Sequence, residues 1–158
     1  MALSTIDVEI DGLKFHILQF GGMVGLKLEK RILTLMAPML KALDGVKDVA
    51  ESDMDMKGLA DVVQSMLLDL DDATLERLVS NLVEKTSINF VGMNGEDGGV
   101  QPLNKEIIFN DVFAGKNLTI IKLLVEIMKA NRFAFFELVG GGTLKTNFLK
   151  NLNLNGQN

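Results

Sequence analysis

The segment from Thr5 to Phe20 constrains the fold more than any other part of the chain. Ile6, Val8 and Ile10 alternate with Asp7 and Glu9, Asp11-Gly12 intervenes, and Leu13, Phe15 and Ile17 resume the alternation. Period-2 patterning on both sides of Asp-Gly specifies a β-hairpin with a tight primed turn, because that turn needs positive φ and glycine accepts it. A lone two-stranded hairpin is marginal in water, so its apolar side must lie against the helices that follow. On this reading His16 faces the polar side of its strand, as a surface histidine on an edge strand.

Gly21, Gly22 and Gly25 then break the pattern. From there Leu28, Ile32, Leu35, Met36, Met39, Leu40 and Leu43 recur at three- and four-residue steps, the stripe of an amphipathic helix. Pro38 sits inside it and predicts a kink or a split near Ala37. Asp44-Gly45 closes the segment, and Asp48 to Asp55 reads as a polar connection. A second helix carries Leu59, Val62, Val63, Met66, Leu67 and Leu70 on one face. Asp71 or Asp72 can cap a third, whose face is Leu75, Leu78, Val79, Leu82 and Val83. Three helices in series imply a small antiparallel bundle.

The pattern changes after Lys85. Ser87 to Val91 is strand-like, Gly92 to Gly99 reads as a glycine-rich loop, and Glu106 to Phe109 is a second strand candidate. The simplest topology joins those two strands as a second hairpin with an enlarged loop. Beyond them Ile121, Leu124, Val125 and Met128 define a strong amphipathic helix, widened by Ile120, Leu123 and Ile127. A helix apolar over so much of its circumference has to be covered on more than one side. Phe133, Phe135 and Phe136 end it. Gly140-Gly141-Gly142 then sets off a tail with five asparagines. The expected fold class is α+β: an N-terminal β-hairpin, a small helical bundle, a second short hairpin and a long C-terminal amphipathic helix. The expected division is one domain over residues 1–139 and a glycine-hinged tail over 140–158.

Composition removes most chemistry. The 158 residues include no cysteine and one histidine, which excludes disulfides, thiolate metal sites, cysteine nucleophiles and multi-histidine sites within one chain. Sixteen basic against 21 acidic residues give a net charge of -5, contrary to a phosphate-reading surface, so no nucleic-acid partner is expected. The opening MALSTIDVEIDG lacks the basic and apolar regions of a signal peptide. The most apolar stretch, Leu118 to Val139, is interrupted by Lys122, Glu126, Lys129, Asn131, Arg132 and Glu137, too polar to span a bilayer. A soluble intracellular protein is the expectation.

The loop from Gly92 to Gly99 has neither the lysine-hydroxyl pair of a phosphate loop nor the alternating ligands of a calcium loop. Asp71 and Asp72 are accounted for by capping. No cofactor, no metal and no catalytic residue is expected, and the chain is not read as an enzyme. The nine methionines point instead to protein contacts, since methionine suits surfaces that accept several partner helices.

The order of features resembles the tail assembly chaperones of tailed bacteriophages. Ile10 to Ile17 resembles that family's N-terminal hairpin, and Ala37-Pro38-Met39-Leu40 its following helix. Ile107 to Phe113, Leu123 to Ile127, and Asn131-Arg132-Phe133-Ala134-Phe135-Phe136 resemble its second half, so the likeness runs from about Thr5 to Leu138. The resemblance implies a non-enzymatic protein of the host cell cytoplasm during assembly. It would coat the helical, aggregation-prone tape measure protein and help recruit tail tube subunits, by helix-in-groove contacts. Candidate contact residues are Met36, Met39 and Leu40, the phenylalanines Phe133, Phe135 and Phe136, and, in the tail, Lys145, Phe148, Leu149 and Leu152. Burial in the chain's own core competes with that role for the phenylalanines. The tail after Gly140 departs from the family pattern. It leaves open an alternative, a structural component of the tail tip or baseplate retained in the virion, and self-association is open as well.

Overall fold

Two residues of positive φ, Asp11 at 50° and Gly12 at 82°, turn the chain between β1 (Thr5–Ile10) and β2 (Leu13–Leu18). Left-handed backbone at both positions is the primed type I turn, whose twist matches that of paired strands. The register follows directly, with Val8 opposite Phe15 and Asp7 opposite His16. The computed structural model describes residues 3–44, 56–91 and 97–133.

Three helices follow: α1 (Gly22–Asp44), α2 (Met56–Leu68) and α3 (Asp72–Val83). α1 starts at Gly22, earlier than its apolar stripe, and runs through Pro38 as one helix rather than splitting near Ala37. An internal proline removes one backbone hydrogen bond, and the turns on either side can carry the helix past it. Leu28, Ile32 and Met36 are its buried positions, four residues apart. The expected connection from Asp48 to Asp55 lies outside the described residues. Asp71 is the cap of α3, its carboxylate accepting from the Thr74 backbone N–H at 3.1 Å and from the Thr74 hydroxyl at 2.6 Å. Those hydrogen bonds, the hydroxyl's first, hold the Asp71 carboxyl below its usual pKa.

The chain then returns to the sheet as β3 (Thr86–Val91) and β4 (Asp97–Pro102). The sheet is antiparallel throughout, in the order β1-β2-β3-β4. A second hairpin exists, but its outer strand is Asp97–Pro102. Glu106 to Phe109, expected as that strand, opens a helix instead, α4 (Glu106–Phe113). An unbroken apolar run such as Ile107-Ile108-Phe109 carries no period, so it fits either element. As a helix it buries Val112 and Phe113 and stacks Phe113 on Phe15, ring centroids 6.0 Å apart. Glycine was the misleading signal in β4. A Cβ on Gly98 would lie 2.6 Å from the Phe90 ring, so the strand needs glycine there to approach its neighbour closely.

Helix α5 (Asn117–Ala130) sits at the centre, against α2, α3, α4 and β1. Leu123, Leu124, Val125, Ile127 and Met128 have no solvent exposure. This meets the expectation of a helix covered on more than one side. Both of its ends are tied to the N-terminal segment, one to the hairpin turn and one to the residues just after β2. Near its start the Thr119 hydroxyl and the Lys122 ammonium donate to Asp11, at 2.8 and 3.0 Å. At its end the Asn131 amide donates to the Ile127 carbonyl at 2.9 Å and accepts from the Phe20 backbone N–H at 2.8 Å. The observed class is α+β, with the helices on the Phe15, Ile17 and Ile88 face of the sheet and a polar face opposite.

Candidate functional site

His16 is the first residue to place. β2 is an interior strand, so His16 is not on a sheet edge as expected. It lies on the polar face, its Nδ1 2.7 Å from Asp7 Oδ1 and its Nε2 2.9 Å from Asn89 Oδ1. The Asp7 and Asn89 hydrogen bonds, Asp7's first, raise its pKa above the ordinary value. Both ring nitrogens are engaged in bracing β1, β2 and β3, so the imidazole has no free nitrogen for proton transfer. Among the described residues no cluster of three histidine or acidic side chains could hold a metal. No described helix is long and apolar enough to cross a membrane.

What the described surface does hold is an apolar groove of about 700 Å³ between α2, α3, α4 and α5. Its floor comes from residues that flank the buried stripe of each helix: Leu67, Leu75, Val79, Phe109 and Ile120, all half-buried. Leu68, at the end of α2, stands on its lip with 77% of its surface exposed. The charged residues lining it are two carboxylates, Glu76 on α3 and Glu106 on α4. α4 is a short helix of 8 residues packed on α5, and the groove opens between these two helices, α3 and the end of α2. A concave apolar surface with an exposed leucine on its lip has the form of a binding groove.

The described ones among the sequence-expected contact residues do not line the groove. Met36 and Phe133 are packed into the core, with 0% and 3% exposure, so in this state they support the fold and present no surface. For Phe133 the competing reading, burial in the chain's own core, is the one the structure displays. Met39 and Leu40 belong to α1, and their side chains lie outside the described residues, as do Phe135, Phe136, Lys145, Phe148, Leu149 and Leu152. The groove residues escaped sequence reading because each sits at the margin of a helix face. The doublet Leu67-Leu68 was the available signal: two adjacent leucines cannot both lie at the centre of one buried stripe.

A family model described as phage tail assembly chaperone protein, TAC, matches residues 11–143 of the chain. No curated protein and no solved structure matches it. The match begins inside the hairpin turn, takes in α1 to α5 and stops just past the triple glycine. It covers well over half of the sequence, and on that ground the chain belongs to the phage tail assembly chaperone family, whose members assist assembly and are not enzymes.

Proposed function

We propose that this chaperone binds the phage tape measure protein in the groove between α2, α3, α4 and α5 and helps recruit tail tube subunits around it, acting in the host cell cytoplasm during assembly. The observation that carries the reading is the unfilled apolar groove with Leu68 on its lip. A long helical partner exposes apolar stripes before assembly, and a groove of this kind takes an amphipathic helix by its i, i+3, i+4 and i+7 side chains. With Glu76 and Glu106 as its charged lining, the groove favours segments carrying lysine or arginine beside the stripe. Met39 and Leu40 on α1 are proposed as supplementary contacts.

The test is co-expression of the full chain with the tape measure protein of the same phage. The tape measure protein should stay in the soluble fraction and co-purify with the chaperone. Equal solubility with and without the chaperone, and no co-purification, would overturn the reading.

A further inference from the structure

The first turns of α1 present a face that the core does not use. Met23 and Leu26 are 64% and 60% exposed, and Lys27, Lys30 and Arg31 are exposed beside them. At 3.6 residues per turn these five fall within an arc of about 140°, on the side of α1 opposite the buried Leu28, Ile32 and Met36. Glu29, the acidic residue of these turns, lies outside that arc and is half-buried. In a chain of net charge -5 this is a basic, apolar helix face. Met23, Leu26, Lys27 and Lys30 stand at i, i+3, i+4 and i+7, the spacing by which a helix enters a groove.

The groove between α2, α3, α4 and α5 is its complement, an apolar floor whose charged lining is Glu76 and Glu106. The two surfaces are set at opposite ends of α5. The groove takes Asn117, Ile120 and Ile121 from the first turns of that helix. The segment leading into α1 is held at the last turn, where the Asn131 side chain accepts from the Phe20 N–H at 2.8 Å and Gln19 donates to the Ala130 carbonyl at 2.9 Å. The 14 residues of α5 put about 21 Å between those ends. With α1 anchored there and packed on the core, a chain cannot seat this face in its own groove. Complementary surfaces on distant parts of one molecule meet head to tail, between copies.

We infer that the groove receives the Met23–Arg31 face of α1 from a second copy of this chain, Met23 and Leu26 on the apolar floor and Lys27 and Lys30 toward Glu76 and Glu106. The contact is heterologous, so copies add head to tail into chains or rings. It keeps the apolar floor from water while no client is bound, and it lowers the apparent affinity of a client by the fraction of grooves left open. Docking of a second copy stands on the two surfaces alone, whereas its exchange for a client helix rests on the proposed tape measure reading.

Sedimentation of the full chain tests the docking. The native chain should rise above the 17.3 kDa of one copy as its concentration increases, and less so in high salt, which screens the charge contacts. Met23→Asp with Leu26→Asp spoils the helix face, and Leu68→Asp spoils the groove, so either variant alone should sediment as one copy. Mixed in equal amounts they should form a heterodimer, because the first keeps an intact groove and the second an intact α1 face. Circular dichroism confirms that both variants keep the native helix content. A native chain that stays at 17.3 kDa at millimolar concentration overturns the inference. So does self-association retained by either variant, or a mixture of folded variants that yields no heterodimer. No tape measure protein is present in these measurements, so its co-purification is read separately. If both readings hold, the Met23→Asp, Leu26→Asp chain binds the tape measure protein more tightly than the native chain, since no second copy competes for its groove.

Discussion

His16 is the single histidine of the chain, so its imidazole titrates alone in an NMR spectrum. Its folded pKa is raised, chiefly by the hydrogen bond with Asp7. The stabilisation is therefore fully present below the unfolded value of about 6.5 and is lost as pH rises through the folded value. Asp7→Asn should bring the His16 titration back toward about 6.5 and flatten the pH dependence of the melting temperature above pH 6. An unchanged titration would show that Asp7 does not hold the imidazole. A turn glycine and a capping asparagine give sharper costs. Gly12 has open space around its missing Cβ and a φ of 82°, so Gly12→Ala isolates the backbone penalty, about 1–2 kcal/mol by denaturant unfolding. Asn131→Ala strands the Phe20 N–H and shortens the C-terminal cap of α5, at a cost of about 1–3 kcal/mol.

The elements divide by how local their determinants are. The β1–β2 hairpin was legible because alternation and Asp11-Gly12 act within a dozen residues, and α5 because its apolar positions outnumber what one contact face can use. The third helix was legible from Asp71 and its stripe. β4 was not, since Gly98 is selected by the Phe90 ring on the neighbouring strand and reads locally as loop. α4 was not, since Ile107-Ile108-Phe109 has no period, and the decisive contact is Phe113 on Phe15, almost a hundred residues away in the chain. The interior position of His16 was hidden for the same reason: the β2–β3 pairing joins residues separated by three helices. The groove belongs to this class, being assembled from four helices with no motif of its own. Leu124 is fully buried in α5, and Leu124→Ala should cost roughly 2–5 kcal/mol in equilibrium unfolding.

At the scale of the whole molecule, the polar sheet face and the apolar groove have different duties. The sheet is braced by His16 and α5 is clasped at both ends to the N-terminal segment, while the groove between α2, α3, α4 and α5 keeps apolar side chains within reach of solvent. A chaperone that shields its client during assembly and then leaves should be abundant in infected-cell lysate and absent from purified particles by mass spectrometry. Stoichiometric retention in particles would make it a tail tip or baseplate component instead.

The most direct test of the groove compares two equally exposed apolar side chains. Leu68, 77% exposed, lines the groove, and Ile107, 75% exposed, does not. Neither substitution to aspartate should change stability by more than about 0.5 kcal/mol, because both side chains already face water. In co-purification with the tape measure protein, Leu68→Asp should abolish binding while Ile107→Asp binds as the native chain does. Native-level binding by Leu68→Asp, or an equal loss in both variants, would contradict the assignment of the groove as the client site.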